Sequence, residues 1–101
     1  MRLQIFADSD AVAGQVDQLS RFYLTGLEEG LVSISIVVAR RRDPLGKPLV
    51  RCQVLGRLSH GEPLEVVETQ ADPGLAITRA LDRTVRTLRR RGSLGRLTHR
   101  A

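Results

Sequence analysis

The chain has 101 residues, of which 42% are hydrophobic, which fits one compact domain and leaves no room for a second of ordinary size. The net charge of +5 is unevenly spread, because residues 1–78 carry −2 and residues 79–101 carry +7. A single Cys52 excludes an internal disulfide and no histidine cluster supplies a zinc site, so we expect a reducing compartment, no metal and no cofactor. With only three aromatic residues, nucleic-acid recognition by base stacking is disfavoured against contact with phosphate and ribose.

No membrane-spanning segment or signal peptide is predicted. The longest apolar run, Ile34 to Ala39, is far shorter than the about 18 residues that a spanning helix needs. We expect a soluble, cytoplasmic protein with no membrane partner.

The first predicted elements are a strand and a helix. Residues 2–7 alternate in polarity, and Asp8-Ser9-Asp10 offers capping side chains for a helix that follows. Residues 11–29 are predicted to form that helix, with Gly30 as its C-cap. Its apolar face consists of Val12, Val16, Leu19, Tyr23 and Leu27.

Three strands are predicted next. Residues 32–40 alternate, with Val32, Ile34, Ile36 and Val38 on one side. A hairpin turn at Asp43-Pro44-Leu45-Gly46 leads to a strand over 49–58, and a second reversal near His60-Gly61 leads to a strand over 64–69.

The last predicted element is a long helix. Asp72 is a typical N-cap and Pro73 suits the first helical position, so the helix should begin there and continue to about Arg91, with Gly92 as its C-cap. Residues 1–92 then form one domain, and residues 93–101 a basic, flexible tail. The order β-α-β-β-β-α predicts an α+β fold, a four-stranded sheet with both helices on one face.

Four arginines form a ladder on this helix, which we call the arginine ladder: Arg79, Arg83, Arg86 and Arg90. Their spacing of four, three and four residues stacks them in one stripe, since successive helical residues are rotated by roughly 100°. The apolar residues of the segment project from the opposite side. With Arg89 and Arg91 beside it, the stripe suits a polyanionic partner; a merely solvated face in an arginine-rich proteome is the alternative.

A second basic cluster lies at the first hairpin. Arg40, Arg41 and Arg42 end a strand and Lys47 lies across the turn, so they form a second candidate phosphate site. A charged strand end that discourages edge pairing explains them equally well. Arg51 and Arg57 share one side of the next strand and could extend this cluster across the sheet, although an exposed sheet face also explains them and is slightly favoured. No catalytic constellation is present, and we expect no enzyme.

The last strand and helix carry a resemblance to a known family. Glu68-Thr69-Gln70-Ala71-Asp72, followed by Ile77, Asp82-Arg83, Arg86 and Leu88-Arg89-Arg90, resembles the acidic strand end and basic helix of the ribosome hibernation-promoting factor and ribosome-associated inhibitor A family. The element order matches over residues 2–91, and the chain is similar to the short form without the C-terminal dimerisation domain.

The resemblance implies a domain similar to a double-stranded-RNA-binding domain that occupies the decoding region of the small ribosomal subunit and keeps idle ribosomes inactive. Its implied ribosomal RNA contacts are Arg79, Arg83, Arg86, Arg89 and Arg90. Family members carry several lysines on the first helix, whereas residues 8–30 here hold five acids and Arg21 alone. Two alternatives therefore stay open: a general RNA- or DNA-binding module, and a protein-interaction or regulatory domain, including weak self-association of an acidic with a basic helix.

Overall fold

The computed structural model describes the backbone of residues 1–27 and 30–100 and the side chains of residues 1–27 and 30–92. Over these residues, the predicted α+β class and the order β-α-β-β-β-α are confirmed. The elements are β1 Arg2–Phe6, α1 Asp10–Leu24, β2 Leu31–Arg42, β3 Pro48–Leu58, β4 Leu64–Gln70 and α2 Pro73–Arg100.

The four strands form one sheet in the order β1-β2-β3-β4. β1 runs parallel to β2, which requires a crossover that α1 supplies, and the other neighbours are antiparallel hairpin pairs. Directly paired residues point to the same face, so the register defines rows of side chains across the sheet. One such row, Ile5, Ile36, Val54 and Val66, lies in the core.

Both helices cover the same face of the sheet, as predicted. α2 packs against β3 and β4, and α1 packs against α2 and β1. The buried residues of α2 come from one side of the helix, and those of the strands from alternate positions. The opposite face, which we call the open face, carries no helix among the described residues. The centre of the core consists of Val16, Leu24, Ile34, Ile36, Cys52, Val54, Ala76, Ile77, Ala80 and Leu81.

The first helix is shorter than predicted. It begins after Ser9, whose hydroxyl accepts a hydrogen bond from the backbone N–H of Val12 at 3.2 Å, in line with the expected cap. It ends at Leu24 instead of continuing to Gly30, because Gly26 takes φ +85°, a left-handed conformation that terminates helices. The predicted C-cap at Gly30 is therefore wrong. Residues 28 and 29, the predicted end of this helix, lie outside the described residues.

The second helix starts where it was predicted to start. The Asp72 carboxylate accepts the backbone N–H of Leu75 at 2.8 Å, and Pro73 is the first helical residue. The predicted stop at Gly92 is wrong, since a helical glycine costs only about 1 kcal/mol relative to alanine and the helix continues to Arg100. The prediction that residues 93–101 form a flexible tail is not tested by the structure and stays a prediction.

A register shift near the start of β2 changes one predicted core position. The pairing with β3 shifts between Leu31 and Ser33, so Leu31 is buried and Val32 is exposed, although alternation from Ile34 placed Val32 inside.

Cys52 is a small core residue, as the sequence predicted. It is completely buried in β3. Burial and the nearby charge of Glu68 raise the pKa of its thiol to about 11, so it stays protonated and unreactive near neutral pH.

Candidate nucleic-acid interface

The arginine ladder lies on the solvent-facing side of α2. Arg79, Arg83, Arg86 and Arg90 are all exposed, while the buried residues of the same helix lie on the opposite side. The geometry predicted from the spacing is therefore confirmed; contact of these side chains with RNA stays a prediction. The buried side is formed by Ala76, Ile77, Ala80, Leu81, Thr84 and Val85.

Arg83 is held against the edge strand of the sheet. Its Nη1 donates to the backbone carbonyl of Val67 at 2.9 Å and forms an ion pair with Oε1 of Glu68, also at 2.9 Å. Arg86 pairs with Asp82 one turn earlier on the helix. Two of the four ladder charges are thus partly neutralised inside the protein.

The remaining arginines of α2 divide into two groups. Arg79, Arg89 and Arg90 form no hydrogen bond or ion pair with any described residue, so their guanidinium groups are available to an external anion. Arg91 instead donates from Nη1 to the backbone carbonyl of Glu62 at 2.7 Å, which ties α2 to the turn between β3 and β4. Arg91 therefore has a structural contact, whereas the other three are the strongest candidates for phosphate contact.

The second basic cluster is split between the two faces of the sheet. Arg40 lies directly opposite Val50 where β2 and β3 are hydrogen-bonded, and its side chain is on the helix-bearing face of the sheet. There its Nε forms an ion pair with Oδ2 of Asp8 at 2.9 Å. Arg42 lies on the same face and donates to the carbonyl of Gly46 at 2.9 Å, while Arg41 points to the open face. Lys47 is exposed across the turn. Arg40 and Arg42 therefore share one face of the sheet and Arg41 the other, although all three line a cavity at this end of the sheet.

A cavity of about 550 Å³ lies next to this cluster, between the end of the sheet and the start of α2. Val38, Val50 and Pro73 line it together with the three arginines.

The acidity of the first helix region is reduced by ion pairs. Asp8 contacts Arg40, and Asp17 contacts Nε of Arg21 at 3.1 Å one turn along α1. Within residues 8–27, Asp10 is the one acid that forms no ion pair with a described residue. Less negative charge is therefore available than the sequence suggested, which weakens the hypothesis that α1 of one copy attracts α2 of another.

Sequence reasoning missed two features of this surface. The pairing of Arg83 with Glu68 joins residues 15 positions apart, and no local spacing rule indicates it. Arg2 lies on the open sheet face in line with Arg57, and only the pairing of β1 with β2 and of β2 with β3 shows this. Among the described residues, no three His, Cys, Asp or Glu side chains could hold a metal ion, and no helix is long and apolar enough to cross a bilayer.

Comparison with known proteins bears on the fold. No family model and no curated protein matches the sequence. The N-terminal domain of Protein Y from Thermus thermophilus superposes with a TM-score of 0.68 at 24% identity, covering 89% of this chain and 98% of that domain. A ribosomal subunit interface protein from Coxiella burnetii gives a TM-score of 0.73 at 12% identity, covering 92% of this chain and 99% of that one.

The chain has the fold of these proteins. The structural neighbours agree with the resemblance that the last strand and helix indicated, and this agreement extends over the whole element order.

Proposed function

We propose that the chain is a ribosome-associated hibernation factor that binds ribosomal RNA of the small subunit through α2 and occludes the decoding region. Structures of the same fold include a protein named for the ribosomal subunit interface. The observation that carries the proposal is the exposed ladder on α2, in which Arg79 and Arg90 have no partner among the described residues.

Phosphate contact is the chemistry that this surface suits best. Arginine presents a planar fork of donors that bonds two phosphate oxygens at once, and its charge is permanent. A stripe of such groups on a rigid helix, anchored to the sheet by a continuous apolar side, can follow an RNA backbone without reading its sequence. The protein then acts in the cytoplasm by steric exclusion of messenger and transfer RNA, which needs no catalytic group and no cofactor.

Co-sedimentation with purified ribosomal subunits tests the proposal. We expect the protein to pellet with small subunits at low salt, to be displaced by messenger and transfer RNA, and to bind large subunits much more weakly. The logarithm of the affinity should fall linearly with that of the salt concentration, by roughly 0.7–0.9 for each phosphate contact. Absence from small-subunit pellets at low salt contradicts the proposal. Equal binding to an unrelated RNA duplex indicates a general nucleic-acid binder instead.

Glu68 is expected to limit the affinity, because its carboxylate neutralises Arg83. The Glu68→Gln variant removes one negative charge and frees the guanidinium, so we expect small subunits to be bound up to about fivefold more tightly, the size of a surface ion pair. The salt dependence should steepen by up to one phosphate contact, roughly 0.7–0.9.

The matched control for this variant is Glu65→Gln, which removes an acid from the same strand but from the open face. Its affinity for small subunits should match that of the wild type. If both variants bind equally tightly, the gain reflects net charge and Arg83 has no special part in binding.

A further inference from the structure

The open face of the sheet has no part in the function proposed for the arginine ladder. The register brings its side chains into rows that cross several strands. One row consists of Gln4, Ser35, Leu55 and Glu65. A second row lies beside it, two residues further along β1 and β2. That second row consists of Phe6, Val37, Gln53 and Val67.

Arginine side chains lie at both ends of this face. Arg2 and Arg57 flank Ser33 at one end, and Arg51 lies opposite Ala39 at the other, with Arg41 beyond it. Among the described residues of the same face, Glu65 is the one acid. The face therefore carries a net positive charge, although the sequence before residue 79 is net negative.

Between the charged ends lies an apolar strip with an aromatic ring. Phe6 is 54% exposed and Leu55 is 39% exposed, while Val37 and Val67, in the same row as Phe6, are partly buried. Phe6 lies next to Val37 on this face, and Leu55 and Val67 continue the apolar surface across β3 and β4. A contiguous apolar surface rimmed by polar and charged residues is typical of an interaction site, unlike a single exposed ring such as that of Phe22. The low aromatic content argued against base stacking, but the structure places one of the three aromatic rings in the position where stacking is feasible.

Uncharged hydrogen-bonding groups complete the face. The Ser35 hydroxyl donates to Gln4 Oε1 at 3.4 Å, Arg51 Nη1 donates to Gln53 Oε1 at 3.4 Å, and Gln53 Nε2 donates to Glu65 at 3.3 Å. These bonds are long, and two of them are exposed while that of Arg51 is partly buried, so a ligand can replace them at little cost. Amide and hydroxyl groups of this kind bond base edges and ribose 2′-hydroxyls.

We propose that the open sheet face is a second site, which binds a short single strand of RNA. A base stacks on Phe6, the amides of Gln4 and Gln53 contact base edges or ribose, and the arginines at the two ends hold phosphates. Arg51 and Arg57 are six residues apart along β3, or roughly 20 Å at the rise of a strand, which a few extended nucleotides span. A single strand fits because its bases are free to splay onto a flat sheet, whereas those of a duplex are stacked and paired. This site is separate from the ladder and does not depend on the ribosome proposal.

Fluorescence anisotropy with a labelled oligouridine of eight nucleotides tests the site. Wild-type protein is expected to bind it with a salt-dependent affinity. Phe6→Ala should weaken binding by at least about fivefold, the lower limit for loss of one stacked base. The matched control is Phe22→Ala, because Phe22 is 77% exposed but lies on α1, away from the sheet. Circular dichroism of both variants checks that the fold is kept.

The absence of tryptophan provides a direct readout of stacking. In Phe6→Trp, oligouridine should quench the indole fluorescence, whereas in Phe22→Trp it should not. Equal quenching in both variants, or none in Phe6→Trp, overturns the assigned stacking position.

Two double variants separate this site from the ladder. Arg51→Glu/Arg57→Glu should no longer bind oligouridine but should still bind small subunits. Arg79→Glu/Arg90→Glu should no longer bind small subunits but should still bind oligouridine. The proposal is overturned if wild-type protein does not bind oligouridine at low salt, or if the sheet variants bind it as wild type does. A dimer that Phe6→Ala dissociates, without RNA binding, overturns it in favour of an interface between copies.

Discussion

Reversing the two free charges of the ladder is expected to release the protein from small ribosomal subunits. For each phosphate contact, the affinity falls by roughly 0.7–0.9 of a decade when the salt concentration is raised from 0.1 M to 1 M. The Arg79→Glu/Arg90→Glu variant loses two such contacts, and its carboxylates add repulsion, so at 0.1 M salt we expect binding about 50-fold weaker or worse. Titration of small subunits in a sedimentation assay measures the loss.

These two positions are preferable to Arg83 and Arg86, the central pair of the ladder. Arg83 bonds Val67 and Glu68, so a glutamate there would face an existing carboxylate and disturb the edge of the sheet. Arg79 and Arg90 contact no described partner through their guanidinium groups, so we expect their replacement to leave the fold intact. A loss of affinity then reports on binding alone.

Two controls accompany this variant: one keeps the charge at the same two positions, and the other makes the same change in net charge elsewhere on the protein. Arg79→Lys/Arg90→Lys keeps the charge and should bind within a few-fold of the wild type. Arg51→Glu/Arg57→Glu changes the net charge by the same amount on the opposite face of the sheet. If that variant loses small subunits as completely as the ladder variant does, overall charge and not the ladder drives association. In 1 M salt, the ladder variant and wild type should bind equally weakly.

Much of the fold could be predicted because its signals are local. Alternation over β3 and β4 and the three-four spacing of apolar residues in α2 each reflect the repeat of one element, and the Asp72 cap with Pro73 is contained in two adjacent residues. The ladder was predictable for the same reason, since its members lie on one helix.

The features that sequence reasoning missed depend on distant residues or on close alternatives. Gly26 and Gly30 are both plausible helix ends, and composition does not decide which of them takes the left-handed conformation. The partners of Arg83 and Arg40 come from other elements, so they follow only from the packing. The open basic face was visible as Arg51 and Arg57, but its continuation to Arg2 and Phe6 required the order of the strands.

Leu81 packs in the core and so helps to hold α2, with its arginine ladder, in position on the sheet. It is completely buried, on the side of α2 opposite Arg79 and Arg83, among the apolar side chains that fix the helix to the sheet. We expect Leu81→Ala to lower the free energy of unfolding by about 2–5 kcal/mol, from lost transfer free energy and the cavity left behind. Domains of this size are stable by only about 5–15 kcal/mol, so this is a large fraction.

Urea denaturation measures this loss, which should appear as a midpoint lower by roughly 1–2 M without a change in slope. The matched control is Leu45→Ala, because Leu45 is 84% exposed in the β2–β3 turn and its replacement should change stability by less than about 0.5 kcal/mol. Equal midpoints for the two variants would contradict the assignment of Leu81 to the core.

Where Leu81→Ala is still folded, its affinity for small subunits should stay near that of wild type, because every arginine is retained. At temperatures that partly unfold it, binding should fall in proportion to the folded fraction, since the stripe of charge exists only while α2 is helical and packed on the sheet.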